Sequence, residues 1–227
     1  APIIQALQDK GAKIVILTHL GRPDGEVLTD MSTEQLLPAL KECWGADVTF
    51  CSDFAAESED CFQIIDSLEE GGICLMENMR FSPDETKNDP DFARNLAKLG
   101  QLFINDAFSV SHRAHASTEG IAHFLPAFAG PGLLKEVDAL SRVMDDPRRP
   151  LSAVIGGAKI STKLDLLKNL IQKTDYLMLG GAMANTFLAA KGYDMKSSLI
   201  ESTMVETAKE VLDRAKDEAC EILLPED

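Results

Sequence analysis

Three arginines and three histidines stand directly after short apolar runs. Ile14-Val15-Ile16-Leu17 gives way to Thr18-His19-Leu20-Gly21-Arg22-Pro23-Asp24-Gly25. Ile73-Cys74-Leu75-Met76 gives way to Glu77-Asn78-Met79-Arg80-Phe81. Leu102-Phe103-Ile104 runs into Asn105-Asp106-Ala107-Phe108-Ser109-Val110-Ser111-His112-Arg113-Ala114-His115. Apolar runs of this length, closed by Gly or Pro, read as buried strands entering tight loops. In an open α/β sheet, ligands bind beyond the carboxyl ends of the strands. An arginine there offers a planar fork to phosphate or carboxylate. These loops hold three of the four histidines of a strongly acidic chain. A rim that receives a phosphorylated carboxylic acid is the sharper reading. Taken singly, Arg22 reads as well as a solvated turn residue, and each histidine reads better as a structural imidazole than as a base.

A second pattern begins at Ala153-Val154-Ile155-Gly156-Gly157-Ala158-Lys159-Ile160-Ser161-Thr162-Lys163. It reads as strand, glycine turn and helix. Glycines let backbone N–H groups approach an anion, and a helix N-terminus adds a favourable dipole. Lys159 and Lys163, on a helix, would share one face. Neither spacing of the standard nucleotide-binding glycine motifs is present, which counts against a dinucleotide-dependent oxidoreductase. Tyr176-Leu177-Met178-Leu179-Gly180-Gly181-Ala182 repeats the strand and glycine turn. Its small residues suit a planar base, or simply close strand–helix packing.

Several elements must position these groups. Strands are expected at 13–18, 48–51, 73–77, 102–105, 152–156, 175–179 and 221–224. Helices are expected at 2–10, 33–44, 59–68, 90–98, 131–145, 160–172, 183–191 and 203–219. Ser32-Thr33-Glu34-Gln35 is a capping box, and Pro38 implies a kink or a later start. Alternation of strand and helix implies parallel sheets with right-handed crossovers. The fold class is α/β, with two Rossmann-like parallel-sheet domains and the second incomplete. Residues 1–129 form the first domain, 130–147 a bridging helix and hinge, and 148–227 part of the second. An ordinary crossover helix is the other reading of 130–147. A start inside a helix and an end on a strand give the expectation of a fragment.

The chain has 227 residues and a net charge of −15. Nucleic acid is excluded as a partner, because its phosphates would be repelled. No apolar stretch is long enough to cross a membrane. Between Lys41 and Arg80 there are ten acids and no basic residue, a solvated acidic face. The five cysteines lack metal or disulfide spacing and read as reduced cytosolic thiols.

The loop His19–Gly25, Glu77–Phe81, Asn105–Phe108, His112–His115, and Gly156-Gly157-Ala158-Lys159 with Lys163 resemble phosphoglycerate kinase, in order and over essentially the whole chain. The resemblance implies a first domain that binds 3-phosphoglycerate or 1,3-bisphosphoglycerate. It implies a second domain that binds Mg-ATP or Mg-ADP, and a monomeric, cytoplasmic, glycolytic kinase. By this resemblance His19, Leu20, Gly21, Arg22, Arg80 and Arg113 hold the phosphoglycerate. Gly157, Ala158, Lys159, Lys163, Gly181 and Ala182 belong to the nucleotide site, and Lys159 stabilises the transferring phosphoryl group. No protein metal site is implied, since magnesium arrives with the nucleotide. The sequence departs from the family at Ser109-Val110-Ser111 and at Ala182, where a glycine is common. The family's first strand would precede Ala1, and its later nucleotide loops would follow Asp227. An inactive, truncated phosphoglycerate-binding module is the alternative reading.

Overall fold

The computed structural model describes residues 2–226; Ala1 and Asp227, the outer limits of the two expected domains, lie outside the described residues. The chain divides into two compact units, 1–138 and 139–227.

In the first unit, α1 (Pro2–Gln8) leads to β1 (Ile14–Ile16), α2 (Leu37–Trp44), β2 (Val48–Cys51), α3 (Glu59–Ser67) and β3 (Ile73–Met76). Then come α4 (Pro83–Lys87), α5 (Pro90–Ala97), β4 (Phe103–Asn105) and β5 (Ala127–Ala129). β3 lies between β1 and β2, parallel to both, with Ile73 beside Ile14 and Val48. Alternate residues of β3 face opposite ways, as a pleated strand requires. Ile73 joins Ile4 and Ile14 on one face, while Cys74 and Met76 meet Cys61, Ile65, Phe92 and Leu96 on the other. Burial pushes the Cys74 thiol up to about 12 and Cys61 up as well, so both pack as small apolar groups. β4 and β5 form a separate parallel pair.

Local chemistry sets the boundaries. Ser58, Ser82 and Asp89 cap α3, α4 and α5 through backbone N–H groups, and proline opens α4 and α5. The expected helix 33–44 starts late: residues 33–36 form a 3-10 turn, and Pro38 lies in the first turn of α2. α4 and β5 are absent from the expected elements.

The helix α6 (Pro131–Asp145) contains the division at Asp138/Ala139. In the second unit β6 (Ser152–Gly156), α7 (Leu164–Leu170), β7 (Tyr176–Gly180), α8 (Ala182–Ala190), α9 (Val205–Asp217) and β8 (Glu221–Leu223) follow. β7 is the middle strand of a parallel sheet ordered β6-β7-β8. Leu177, Leu179, Leu167, Ile171, Phe187 and Val211 are buried together on one face of it. The expected helix over 160–172 is corrected to Leu164–Leu170. Lys163, with φ −129° and ψ 7°, stands at the residue before it. Lys159 and Lys163 therefore do not share a helix face.

Leu75 on the central strand is 1% exposed, whereas Val154 on β6 is 73% exposed. Leu75→Ala should cost about 2–5 kcal/mol in denaturant unfolding, and Val154→Ala within about 0.5 kcal/mol. Equal losses would contradict this assignment of the core.

Candidate functional site

The cationic loops of the first unit are held from below by acids. After β3, the buried Glu77 accepts from the Thr33 amide at 2.7 Å, the Asn78 amide at 2.7 Å and the Ser32 hydroxyl at 2.6 Å. Asn78, fully buried, donates through Nδ2 to the Leu20 carbonyl at 2.6 Å and the Met31 carbonyl at 2.9 Å. Its Oδ1 accepts from the amides of Leu20 and Arg80. The strand end of β3 thus fixes the loop His19–Met31. Arg80 Nη1 donates to the Gly21 carbonyl at 2.7 Å, which ties two of the expected site segments directly.

The structure brings Arg22, Arg80 and Arg113 within electrostatic reach of one another. Partial burial pushes Arg80 down, and the charges of Arg113 and Arg22 push it further, against the pull of Glu85. Among the described residues none of the three arginines has a carboxylate within salt-bridge distance. Guanidiniums gathered without carboxylate partners are suited to an external anion. His112 is exposed, and Gly21 and Arg22 lie open at the loop tip.

Glu85 sits beneath this rim, completely buried. His19 Nε2 lies 2.7 Å from its Oε1, the Ser117 hydroxyl donates to the same oxygen at 2.6 Å, and the Ser117 amide donates to Oε2 at 2.9 Å. Burial alone would raise this carboxyl, but the His19 and Ser117 hydrogen bonds hold it below its ordinary value of 4.5. His115 is held below 6.5, first by burial and then by His19, Arg80 and Arg113, with Glu85 opposing. His19, Glu85 and His115 present ligand atoms within 4.8 Å of one another, the one such group among the described residues. Glu85 Oε1 is already engaged there by His19 and Ser117.

A cavity of about 500 Å³ runs between the free edges of β1 and β4. It shares His19, Asn105 and Asp106 with the loops but none of the three arginines, and its other walls are largely apolar, Ile4, Leu7 and Ile121 among them. It is a poor receptor for an anion.

In the second unit, Gly181 has φ +68°, and a Cβ there would stand 2.8 Å from the Gly157 carbonyl oxygen. That carbonyl accepts from the Met183 amide at 2.9 Å. The two glycine turns therefore close on each other, and Gly181 serves close packing. Lys163 Nζ donates to the Gly156 carbonyl at 2.6 Å, so its ammonium lies against the first turn, while Lys159 is exposed. Two amides at the expected start of the helix are not free. The amides of Ile160 and Ser161 donate to Glu201 at 2.8 and 3.2 Å, and the Ser161 hydroxyl donates to the same carboxylate. Glu201 is itself tied to α8, through its amide and the buried Thr186 hydroxyl at 3.0 Å.

The roles of Glu85, Ser117 and Glu201 escape a reading of the sequence, and Glu77 and Asn78 are legible only as parts of a motif. For Glu85 a local signal exists: Ser82-Pro83-Asp84-Glu85 is a serine cap, a proline at the first helical position and acids in the first turn.

The fold and the site thus define a chain of two parallel-sheet α/β units, the first carrying a cationic rim at its strand ends. The family model for phosphoglycerate kinase matches residues 1–227. The phosphoglycerate kinase of Sinorhizobium fredii is 48% identical over 227 residues, which are all of this chain and 56% of that one. That of Rhodospirillum centenum is 49% identical and covered to 57%. The structure of phosphoglycerate kinase from Coxiella burnetii superposes with a TM-score of 0.85 at 38% identity, covering 99% of this chain and 56% of that one. The chain belongs to the phosphoglycerate kinase family. It spans somewhat over half the length of the curated relatives it matches.

The shifted acids give a pH signature. A carboxyl held low, as in Glu85, adds stability that is present above 4.5 and lost as pH falls through its folded value. His115, also held low, makes stability decline as pH falls below 6.5. Thermal melts should therefore fall in two acid steps, and Glu85→Gln should shrink the lower one, to which the other lowered carboxyls, Asp53 among them, also contribute. A wild-type melting temperature flat from neutrality to pH 4 would refute this.

Proposed function

We propose that this protein works as a phosphoglycerate kinase and that its first unit holds the phosphoglycerate. The reaction moves the γ-phosphoryl group of Mg-ATP to the carboxylate oxygen of 3-phosphoglycerate. One P–O bond forms at the carboxylate and one breaks at the β-phosphate, giving 1,3-bisphosphoglycerate and Mg-ADP; glycolysis runs it in reverse. The observation that carries the reading is the crowding of Arg22, Arg80 and Arg113 without carboxylate partners. Such a rim gains most from a multiply charged acid. The relatives' name supports the identity of that acid.

The roles then follow. His19, Leu20, Gly21, Arg22, Arg80 and Arg113 receive phosphoglycerate. Residues 1–129 serve as its domain and 130–147 as the connection. Residues 148–227 contribute part of the nucleotide domain, through Gly157, Ala158, Lys163, Gly181 and Ala182. The exposed ammonium of Lys159 neutralises charge on the transferring group, the work required where positioning and electrostatics dominate. The protein acts as a cytoplasmic monomer on small phosphorylated substrates, without nucleic acid or membrane.

Arg113→Ala should weaken 3-phosphoglycerate about tenfold or more, the worth of one hydrogen bond between charged groups, and leave ATP nearly unaffected. Equal losses for both ligands in calorimetry would reject the assignment. In a chain with turnover, Lys159→Ala should lower kcat and kcat/KM together; normal turnover would remove Lys159 from the mechanism. The 227 residues alone should bind phosphoglycerate but not phosphorylate it. A coupled assay reading turnover within about tenfold of a longer relative would overturn that division of labour.

A further inference from the structure

We propose that Glu85 is the positioning residue of the anion rim: its carboxylate fixes His19 and the His115–Ser117 segment, which lie on two separate loops, in the arrangement that receives the ligand. The inference rests on the reading of the rim as a phosphoglycerate site and extends it to a residue that does not touch the ligand.

Glu85 lies on α4, a helix of five residues that gives the rim no other side chain. Through Oε1 it holds His19, 66 residues away in sequence. Through both carboxylate oxygens it holds Ser117, and its backbone carbonyl accepts from the Ala116 amide at 3.0 Å. One residue thus joins the loop after β1 to the loop after β4 by main chain and side chain together. Packing alone would not need so many directed bonds.

The carboxylate also selects a state of His19. An ionised carboxylate only accepts hydrogen bonds. Nε2 of His19 must therefore carry a proton, and the ring's orientation is set by its partner. His115 Nδ1 lies 3.7 Å from the same Oε1, is buried and has no hydrogen-bond partner. The two imidazoles meet edge to face, with centroids 5.6 Å apart.

Charge completes the argument. Glu85 faces His19 from the loop after β1, Arg80 from the turn after β3, and His115 and Ser117 from the loop after β4. Arg113 bears on both Arg80 and His115, and Arg22 on Arg80. Without the carboxylate, the like charges would have no counter-charge beneath them and would spread apart.

Two measurements on the 227-residue chain test this. Imidazole nitrogen shifts report the His19 tautomer with no ligand present. Wild type should show the proton fixed on Nε2, and Glu85→Gln, whose amide can donate as well as accept, should show a mixture. Calorimetry with 3-phosphoglycerate should show affinity about tenfold lower in Glu85→Gln, the scale of one lost charged hydrogen bond. Glu85→Asp, which keeps the charge, should recover part of it. If Glu85→Gln does not fold, Ser117→Ala takes its place, since it strips one donor from the same oxygen. It should weaken the ligand severalfold. Unchanged tautomer and affinity in a folded variant would overturn the proposal. Wild-type chain that binds no 3-phosphoglycerate would instead sink the reading of the rim, while the tautomer would still decide the role of Glu85.

Discussion

The first unit depends on two buried carboxylates that bind the loops around its strand ends. A buried carboxylate is costly unless it is hydrogen-bonded and compensated. Glu77 meets the condition with two amides and two hydroxyls from Ser32, Thr33 and Asn78. Glu85 meets it with His19 and Ser117. The bonds run from loops to strand ends, so the same contacts that neutralise the acids also hold the loops. Taking either loop away would strand a buried charge. That penalty makes the rim part of the fold and not an ornament on it.

The rim is also held in place before any ligand arrives. Arg80 is pushed down first by partial burial and then by the charges of Arg113 and Arg22, while its guanidinium is fixed on the Gly21 carbonyl. Groups already oriented need little reorganisation when an anion arrives. The net charge of −15 concerns the outer surface and not this spot. Acids such as Asp47, Asp91 and Asp213 engage neighbouring lysines or arginines on exposed faces, where such pairs contribute little. Basic residues concentrated locally can receive an anion on a chain that is acidic as a whole.

What was legible in the sequence follows the range of the forces involved. β1, β2, β3, β4, β6, β7 and β8 announce themselves as apolar runs, although β3 is buried throughout and β6 has no buried position. β5, Ala127–Ala129, is exposed at every position, so no periodicity marks it, and only pairing with β4 makes it a strand. α4 is too short for a period, although its caps are present. The arginines were legible as a set because strand ends converge in parallel sheets. The acids beneath them were not. The stretch from Lys41 to Arg80 reads as a solvated acidic face, yet it ends in Glu77, buried by partners more than forty residues away.

The second unit shows the same limit from the other side. A glycine turn before a helix looks like a set of free amides waiting for phosphate. Here the protein's own carboxylate, Glu201, already occupies the amides of Ile160 and Ser161, and the helix begins only at Leu164. Gly181 is required for another reason, since it must let the Gly157 carbonyl come close. The cationic groups, by contrast, remain at the turn: Lys163 against Gly156 and Lys159 exposed beside it. With the Ile160 and Ser161 amides engaged internally, the side-chain charge of the lysines stays at the turn. The turn supplies the rigidity, and Glu201, anchored to the buried Thr186 of α8, supplies the turn. In each unit a carboxylate accepts from backbone amides of a segment that lies beside the cations.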